Sequence, residues 1–416
     1  MPSIYIEWYG CALNRADTEK LRHAFVKAGY RLVDSPEKAD YCIVNTCAVK
    51  APTEEKVIAR LKKLNELSKR ANFKLVVVGC LVEINRQRLE ASVPDALLFG
   101  VDSGPIADYF GIELEYSPKA KALPYNKCIS IIPVARGCLN RCTYCCVSIA
   151  RGGLKSYPVE EINEAFKEAI THAKEIWLTA TDMACYGFDL GTDLSELLAK
   201  LLENSGRYRI RVGMLNPQHA KRFFDELLKV MEDERVYRFF HLPVQSGSDA
   251  VLRKMARGYK VCEFEELVEK AKQMFPQATI ATDIIVGFPG ETQADFEKTI
   301  ELTKRVLPDV VNVSRYGKRP GTLAAKMKQL PYNVVKERSK QLSQIVRELT
   351  LEKNKTFVGK SFNVLVSERG VKGNFVARTD FYKPVVVKED SLCKFTTVKI
   401  TGAKSTYLEG KIIDML

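Results

Sequence analysis

The chain has 416 residues, 46% of them hydrophobic and 28% charged, with a formal net charge of +13. That length exceeds one ordinary domain and supplies real cores, while no run approaches the roughly 18 uninterrupted apolar residues that span a bilayer. These features exclude a helical membrane protein, and with no signal-type segment at Met1–Glu7 they lead to the expectation of a soluble, cytoplasmic protein.

From 1 to 113, β-rich runs at 4–9, 41–46 and 74–79 alternate with amphipathic helical runs at 17–28 and 53–68, which predicts an open parallel α/β unit. Between 124 and 350 the alternation restarts, with strands predicted at 131–135, 175–181, 209–215, 239–244, 279–288 and 310–316. Strands with intervening helices in that number predict a partial (βα)6 barrel, related to the closed barrel but open on one side. A basic helix is expected near 334–353. From 351 to 416 the texture turns to short β runs at 362–366, 375–378, 384–387 and 395–401, the pattern of a small all-β barrel of OB type. This last segment carries 12 Lys/Arg against 7 Asp/Glu, a balance suited to gripping RNA, with Arg378 and Lys383 as candidate contacts. A solvated basic surface without any RNA would give the same charge.

Twelve cysteines in a reducing compartment argue against a disulfide framework and for metal binding or catalysis. The segment Arg136-Gly137-Cys138-Leu139-Asn140-Arg141-Cys142-Thr143-Tyr144-Cys145 puts a CxxxCxxC in the loop after the first strand of the second α/β unit. Three thiolates on one loop can wrap a corner of a [4Fe-4S] cubane and leave one iron open to a small molecule. A zinc site is the alternative, although zinc usually takes four ligands, typically from paired CxxC units. Cys146 adjoins Cys145, cannot share its direction and is read as a non-ligand. Cys11, Cys47 and Cys80 each follow a predicted strand of the first unit. Ligands of an open parallel sheet gather outside the carboxyl ends of its strands, so cysteines far apart in sequence can converge there. Taken singly, each also reads as a small buried hydrophobe.

The CxxxCxxC loop resembles the radical S-adenosylmethionine (SAM) superfamily. Gly10-Cys11-Ala12-Leu13-Asn14-Arg15-Ala16-Asp17-Thr18-Glu19, Asn45-Thr46-Cys47 and Gly79-Cys80, followed by that loop and by the β module called TRAM, resemble the methylthiotransferase family over nearly the whole chain. The resemblance implies two [4Fe-4S] clusters. One sits on Cys11, Cys47 and Cys80 and holds the sulfur to be transferred; the other, on Cys138, Cys142 and Cys145, binds SAM. It also implies Tyr144 near the adenine of SAM, Asp182 at its amino group, Asn216 and Gln245 at its ribose or carboxylate, and the Val286-Gly287 backbone at the adenine. Thr181-Asp182 departs from the glycine-rich form of that motif, and Gly287-Phe288-Pro289-Gly290 also reads as a simple strand-to-helix turn. No side chain is assigned a catalytic role, because the cofactors carry the hard chemistry.

Branches of this family act on isopentenyladenosine, on threonylcarbamoyladenosine and on a ribosomal-protein aspartate. The cysteine loop with Ala150-Arg151-Gly152-Gly153-Leu154-Lys155-Ser156-Tyr157-Pro158 most resembles the archaeal and eukaryotic threonylcarbamoyladenosine branch, acting at tRNA position 37. The implied partners are a tRNA anticodon loop, whose splayed bases can leave the stack, a sulfur donor and an electron donor. A basic tail favours RNA over a ribosomal protein. A non-enzymatic iron-sulfur RNA-binding protein, and a radical SAM methylase whose N-terminal cysteines are structural, are the rival readings.

Overall fold

Runs such as Tyr41–Thr46 and Lys74–Gly79 are apolar at nearly every position, as strands buried on both faces must be. In the computed structural model, which describes residues 1–48, 51–122, 125–370 and 373–415, they lie at the centre of the first sheet. The expected domain start at 124 and chain end at 416 fall outside the described residues. The first unit comprises β1 (Ser3–Trp8), α1 (Ala12–Lys27), β2 (Arg31–Leu32), β3 (Tyr41–Thr46), α2 (Ala51–Ala71), β4 (Lys74–Gly79), α3 (Cys80–Ser92), β5 (Leu97–Phe99) and α4 (Gly104–Phe110). Its five strands run parallel in the order β2-β1-β3-β4-β5. Leu21, Phe25 and Phe110 cover one face; Val57, Leu61 and Leu64 of α2 cover the other.

The second unit contains β6 (Ile129–Pro133), β7 (Ala135–Arg136), α5 (Val147–Arg151), β8 (Lys155–Ser156), α6 (Val159–His172), β9 (Glu175–Thr179), α7 (Leu194–Leu202), β10 (Arg209–Val212) and α8 (Pro217–Ala220). It continues through α9 (Phe224–Val230), β11 (Phe239–His241), α10 (Asp249–Lys254), α11 (Val261–Met274), β12 (Thr279–Val286), α12 (Gln293–Val306) and β13 (Val310–Arg315), and α13 (Tyr332–Lys355) follows. Two parallel three-stranded sheets, β6-β9-β10 and β11-β12-β13, join where Ile210 bridges Val236 and the Leu215 amide donates to the His241 carbonyl at 2.8 Å. They form one arc whose outer strands, β6 and β13, are not paired with each other. Helices pack outside it on apolar faces of helical period, for instance Ile162, Phe166 and Ala169 of α6. A capping box between Thr292 and Asp295 starts α12.

The tail closes into a barrel of β14 (Ser361–Arg369), β15 (Phe375–Thr379), β16 (Pro384–Val387), β17 (Phe395–Ala403) and β18 (Leu408–Met415), in the order β14-β15-β16-β18-β17. β18 was not expected, because Glu409, Lys411 and Asp414 blur its alternation; ladder bonds to both β16 and β17 hold it. The strands of the arc end two or three residues earlier than expected, at Thr179, Val212 and His241, where the chain turns outward. α1 starts earlier than expected, since Cys11, extended at φ −84° and ψ 174°, is its N-cap.

The tail sits under the arc. Leu365 and Phe395 pack on Cys128 and Ile129, and Tyr382 packs on Tyr237, Phe239 and Ala281. Buried Asp309 fixes the junction, with its carboxylate 2.7 Å from Lys383 Nζ and 2.8 Å from Lys353 Nζ. Burial pushes the Asp309 carboxyl up, but the two ammoniums outweigh it and hold it below the usual range. A depressed carboxylate stabilises the fold fully above its unfolded value of about 4 and loses that contribution as pH falls through the lower folded value. Asp309→Asn leaves the buried Lys383 ammonium without its counter-ion, and we expect a loss of about 3–5 kcal/mol in denaturant unfolding. The difference from the parent should shrink below about pH 4.

Candidate active site between two cysteine triads

Parallel strands deliver their carboxyl ends to one edge, and three cysteines follow such ends. Cys11 follows β1, Cys47 follows β3, and Cys80 opens α3 directly from β4. Gly10 has φ +113°, and a Cβ there would lie 2.6 Å from Cys47 Cβ and 2.9 Å from its Sγ, so glycine alone allows the Cys11 and Cys47 loops to meet. Asn14 ties the loops together, donating to the carbonyls of Tyr9 at 2.8 Å and Thr46 at 2.9 Å, and its Oδ1 lies 3.9 Å from Cys80 Sγ. Arg151 of the second unit donates to Asn14 Oδ1 at 2.8 Å and to Asp17 Oδ2 at 2.9 Å. Burial pushes the Cys80 thiol up, and the Arg151 guanidinium beside it pulls it down. A cation in this place offsets the charge of the thiolates that a metal requires.

The second triad carries its own donors. Cys138 Sγ accepts from the Asn140 backbone at 3.4 Å and from its Nδ2 at 3.3 Å; Cys142 Sγ accepts from Arg257 at 3.5 Å, and Cys145 Sγ from the Val147 amide at 3.5 Å. Burial pushes the Cys138 and Cys145 thiols up, that of Cys145 to about 12. Such hydrogen bonds favour the thiolate form and orient it. Asn140 also donates to Asp182 Oδ2 at 2.8 Å, accepts from Asn216 Nδ2 at 2.7 Å and faces His219 Nε2 at 3.0 Å.

A cavity of about 690 Å³ separates the units, lined by Ala51 and Pro52 of the first and by Tyr144, Cys145, Cys146, Gln245, Asp283 and Gly287 of the second. Cys146 Sγ points to the Ala48 carbonyl at 3.7 Å, away from a ligand position. Buried Arg319, on the loop after β13, pairs with buried Glu54 of α2 and closes the side.

The sequence-predicted residues divide. Tyr144, Gln245 and Gly287 line the cavity, and Val286 is buried behind it. Gln245, with φ +69°, has a buried Oε1 without a partner among the described residues, an acceptor matched to a ligand hydroxyl or amine. Gly287 is held against α13, where a Cβ would meet Val335 at 2.5 Å. Asp182 and Asn216 do not line the cavity. The Asp182 carboxylate is taken by Asn140, by the amides of Ala184 and Asn216 at 3.0 Å each, and by Cys185 Sγ at 3.2 Å. It braces the Cys138 loop.

In the tail, Lys383 is spent on Asp309 and Asn354, and Arg378 on Glu368 at 2.9 Å and on the Tyr382 ring at 4.6 Å. Neither offers RNA a free cation, because burial at the junction consumes both. Sequence reasoning missed roles for Arg151, Arg257 and the Glu54–Arg319 pair. Arg151 stands in the segment after the cysteine loop, and Arg319 opens the family-like Arg319-Pro320-Gly321-Thr322 beyond a strand end; Arg257 and Glu54 carry no local signal.

Residues 3–100 match the uncharacterized protein family UPF0004, 132–303 the radical SAM superfamily and 355–413 the TRAM domain. A probable threonylcarbamoyladenosine tRNA methylthiotransferase of Pyrococcus horikoshii is 44% identical over 99% of this chain and 100% of its own. The threonylcarbamoyladenosine tRNA methylthiotransferase of Xenopus laevis is 36% identical over 98% of this chain and 76% of its own. Among solved structures, the radical SAM methyltransferase TsrM of Kitasatospora setae, with cobalamin and a [4Fe-4S] cluster bound, aligns with TM-score 0.60 at 11% identity over 78% of this chain and 76% of its own, a likeness of fold. No described helix is long and apolar enough to cross a membrane.

Arg151→Met leaves Asp17 only the longer Arg136 contact at 3.6 Å and removes the cation beside Cys80. After anaerobic reconstitution we expect roughly half the parent's iron, the loss confined to the N-terminal triad. Iron and sulfide assays beside a Cys80→Ala control would check this; full occupancy would contradict the role given to Arg151.

Proposed function

Because this chain belongs to the radical SAM threonylcarbamoyladenosine tRNA methylthiotransferase family, we propose that it converts N6-threonylcarbamoyladenosine in a tRNA anticodon loop to its 2-methylthio derivative, in the cytoplasm. The observation that supports the reading is a chamber between the units that Cys145 of the second triad borders, with the first unit's strand-end cysteines tied to the second unit through Arg151. Each triad suits a [4Fe-4S] cluster by its chemistry: three cysteines share one sheet edge or one loop, and Arg151 in one case, amide and guanidinium donors in the other, offset their charge. When bound, the clusters and SAM supply radical hydrogen removal and sulfur donation.

The chain's own residues do the rest. Cys11, Cys47 and Cys80 hold the sulfur-bearing cluster, and Cys138, Cys142 and Cys145 hold the SAM cluster. Gln245 and Gly287 shape the SAM pocket, with Tyr144 against it. The Glu54–Arg319 and Asp17–Arg151 pairs hold the units together and help to exclude water. Asp182 and Asn216 act on SAM through Asn140 and the Cys138 loop. A sulfur donor and an electron donor complete the partners.

RNA contact falls to exposed lysines of the tail. Lys399 and Lys411 stand directly opposite each other on β17 and β18, next to Lys360. Like charges directly opposite destabilise a sheet, and an RNA backbone would relieve that repulsion.

Reconstituted parent protein should bind about eight irons, with Cys11→Ala and Cys138→Ala each losing about four. With SAM, reductant and threonylcarbamoyladenosine-bearing tRNA, nucleoside mass spectrometry should find the methylthio product only with the parent. Iron lost in Cys138→Ala alone would reduce the N-terminal cysteines to structure, and cleavage of SAM without sulfur insertion would overturn the substrate.

A further inference from the structure

The arc's interior is polar below the chamber, where small barrels usually fill with branched apolar side chains. Asp283, on the chamber wall, lies 2.8 Å from His241 Nε2 and accepts from Asn312 Nδ2 at 2.8 Å. His241 and Asn312 also line a second cavity of about 240 Å³, shared with Arg211, Thr279 and Arg378. The Arg211 guanidinium is clamped among Trp177, Phe239 and Tyr382, at 5.1, 5.2 and 5.3 Å from their centroids. Its Nε is buried without an acceptor among the described residues, and Thr279 Oγ1 is likewise without a partner. Of the neighbouring cations, Arg378 is matched by Glu368 and Lys383 by Asp309. A guanidinium whose Nε is buried without an acceptor is costly, and its aromatic clamp holds it ready for an anion. On β13, the unpaired edge of the arc, Val310 and Asn312 are exposed, so the well opens to the side.

We propose that this well receives the threonylcarbamoyl group of the substrate, with the carboxylate on Arg211 and the hydroxyl and carbamoyl atoms on the Asp283–His241–Asn312 layer. This rests on the substrate reading above. In adenine, C2 and C6 flank N1 on one edge of the ring and their outward bonds diverge, so with C2 turned toward the triads the N6 substituent leaves at an angle to it, toward the wall of the arc. An isopentenyl group has no polar atom and would leave Arg211 Nε and Thr279 Oγ1 unpaired, so the same residues discriminate against it. Arg211 determines specificity and takes no part in the chemistry.

The test uses reconstituted full-length protein and three anticodon stem-loop RNAs. One bears threonylcarbamoyladenosine, the second its carboxylate methyl ester and the third isopentenyladenosine. Affinity is read by fluorescence anisotropy without SAM, and turnover by mass spectrometry. The parent should bind the acid roughly 10- to 100-fold more tightly than the ester. Arg211→Met should bind both at the ester's level while keeping its iron and its SAM cleavage, and Arg211→Lys should keep part of the preference. If Arg211→Met retains the parental acid-to-ester ratio, or the parent does not distinguish the two while still modifying the acid RNA, the assignment is overturned and the substrate reading stands. If the parent modifies only the isopentenyl RNA, the substrate reading fails and the assignment falls with it.

Discussion

Arg151 is the contact on which the site's geometry turns. It ends the short helix that follows the CxxxCxxC loop, yet its guanidinium is buried in the other unit, against Asp17 and Asn14 and beside Cys80. Burying that charge is tolerable only in fixed geometry, with both acceptors in place. An apolar contact can slide by an ångström at little cost. This one cannot, so it sets the registry between the cysteine loop and the N-terminal triad. The buried Glu54–Arg319 pair, joining α2 to the loop after β13, adds a second fixed point, and the chamber lies between units held in this way.

Both units solve the same problem alike. A parallel sheet gathers its carboxyl ends on one edge, and each triad stands at such an edge. In the first unit three strands contribute one cysteine each, which requires a closely packed junction and explains Gly10. In the second a single loop contributes all three, and the support comes from around it: Asn140, braced by Asp182, Asn216 and His219, and Arg257 on Cys142. The tail acts from below, where Tyr382 and Arg378 close the arc's interior and Asp309 holds the two lysines that anchor the barrel. The same closure leaves Arg211 clamped by rings, its Nε without an acceptor among the described residues.

The sequence by itself determined the architecture and the six cysteines. Alternating β and helical runs, strand-end cysteines and the CxxxCxxC spacing are local patterns, legible because strand direction and loop position follow from periodicity. Tyr144, Gln245 and Gly287 were singled out by the family resemblance, and the structure places them on the chamber wall. What only the tertiary structure decided is which charges are spent. Lys383 and Arg378 read as RNA contacts from composition, but a lysine's partner can lie anywhere in the chain, and theirs are the buried Asp309 and Glu368. Asp182 read as a SAM ligand by resemblance, yet four donors, two from its own turn and one each from Asn140 and Asn216, already meet its carboxylate. Arg211 carried no signal at all, because a buried Nε without an acceptor is a property of everything around it. Hydrophobic period is written along the chain, whereas electrostatic pairing in a desolvated interior depends on distances between residues the sequence keeps far apart.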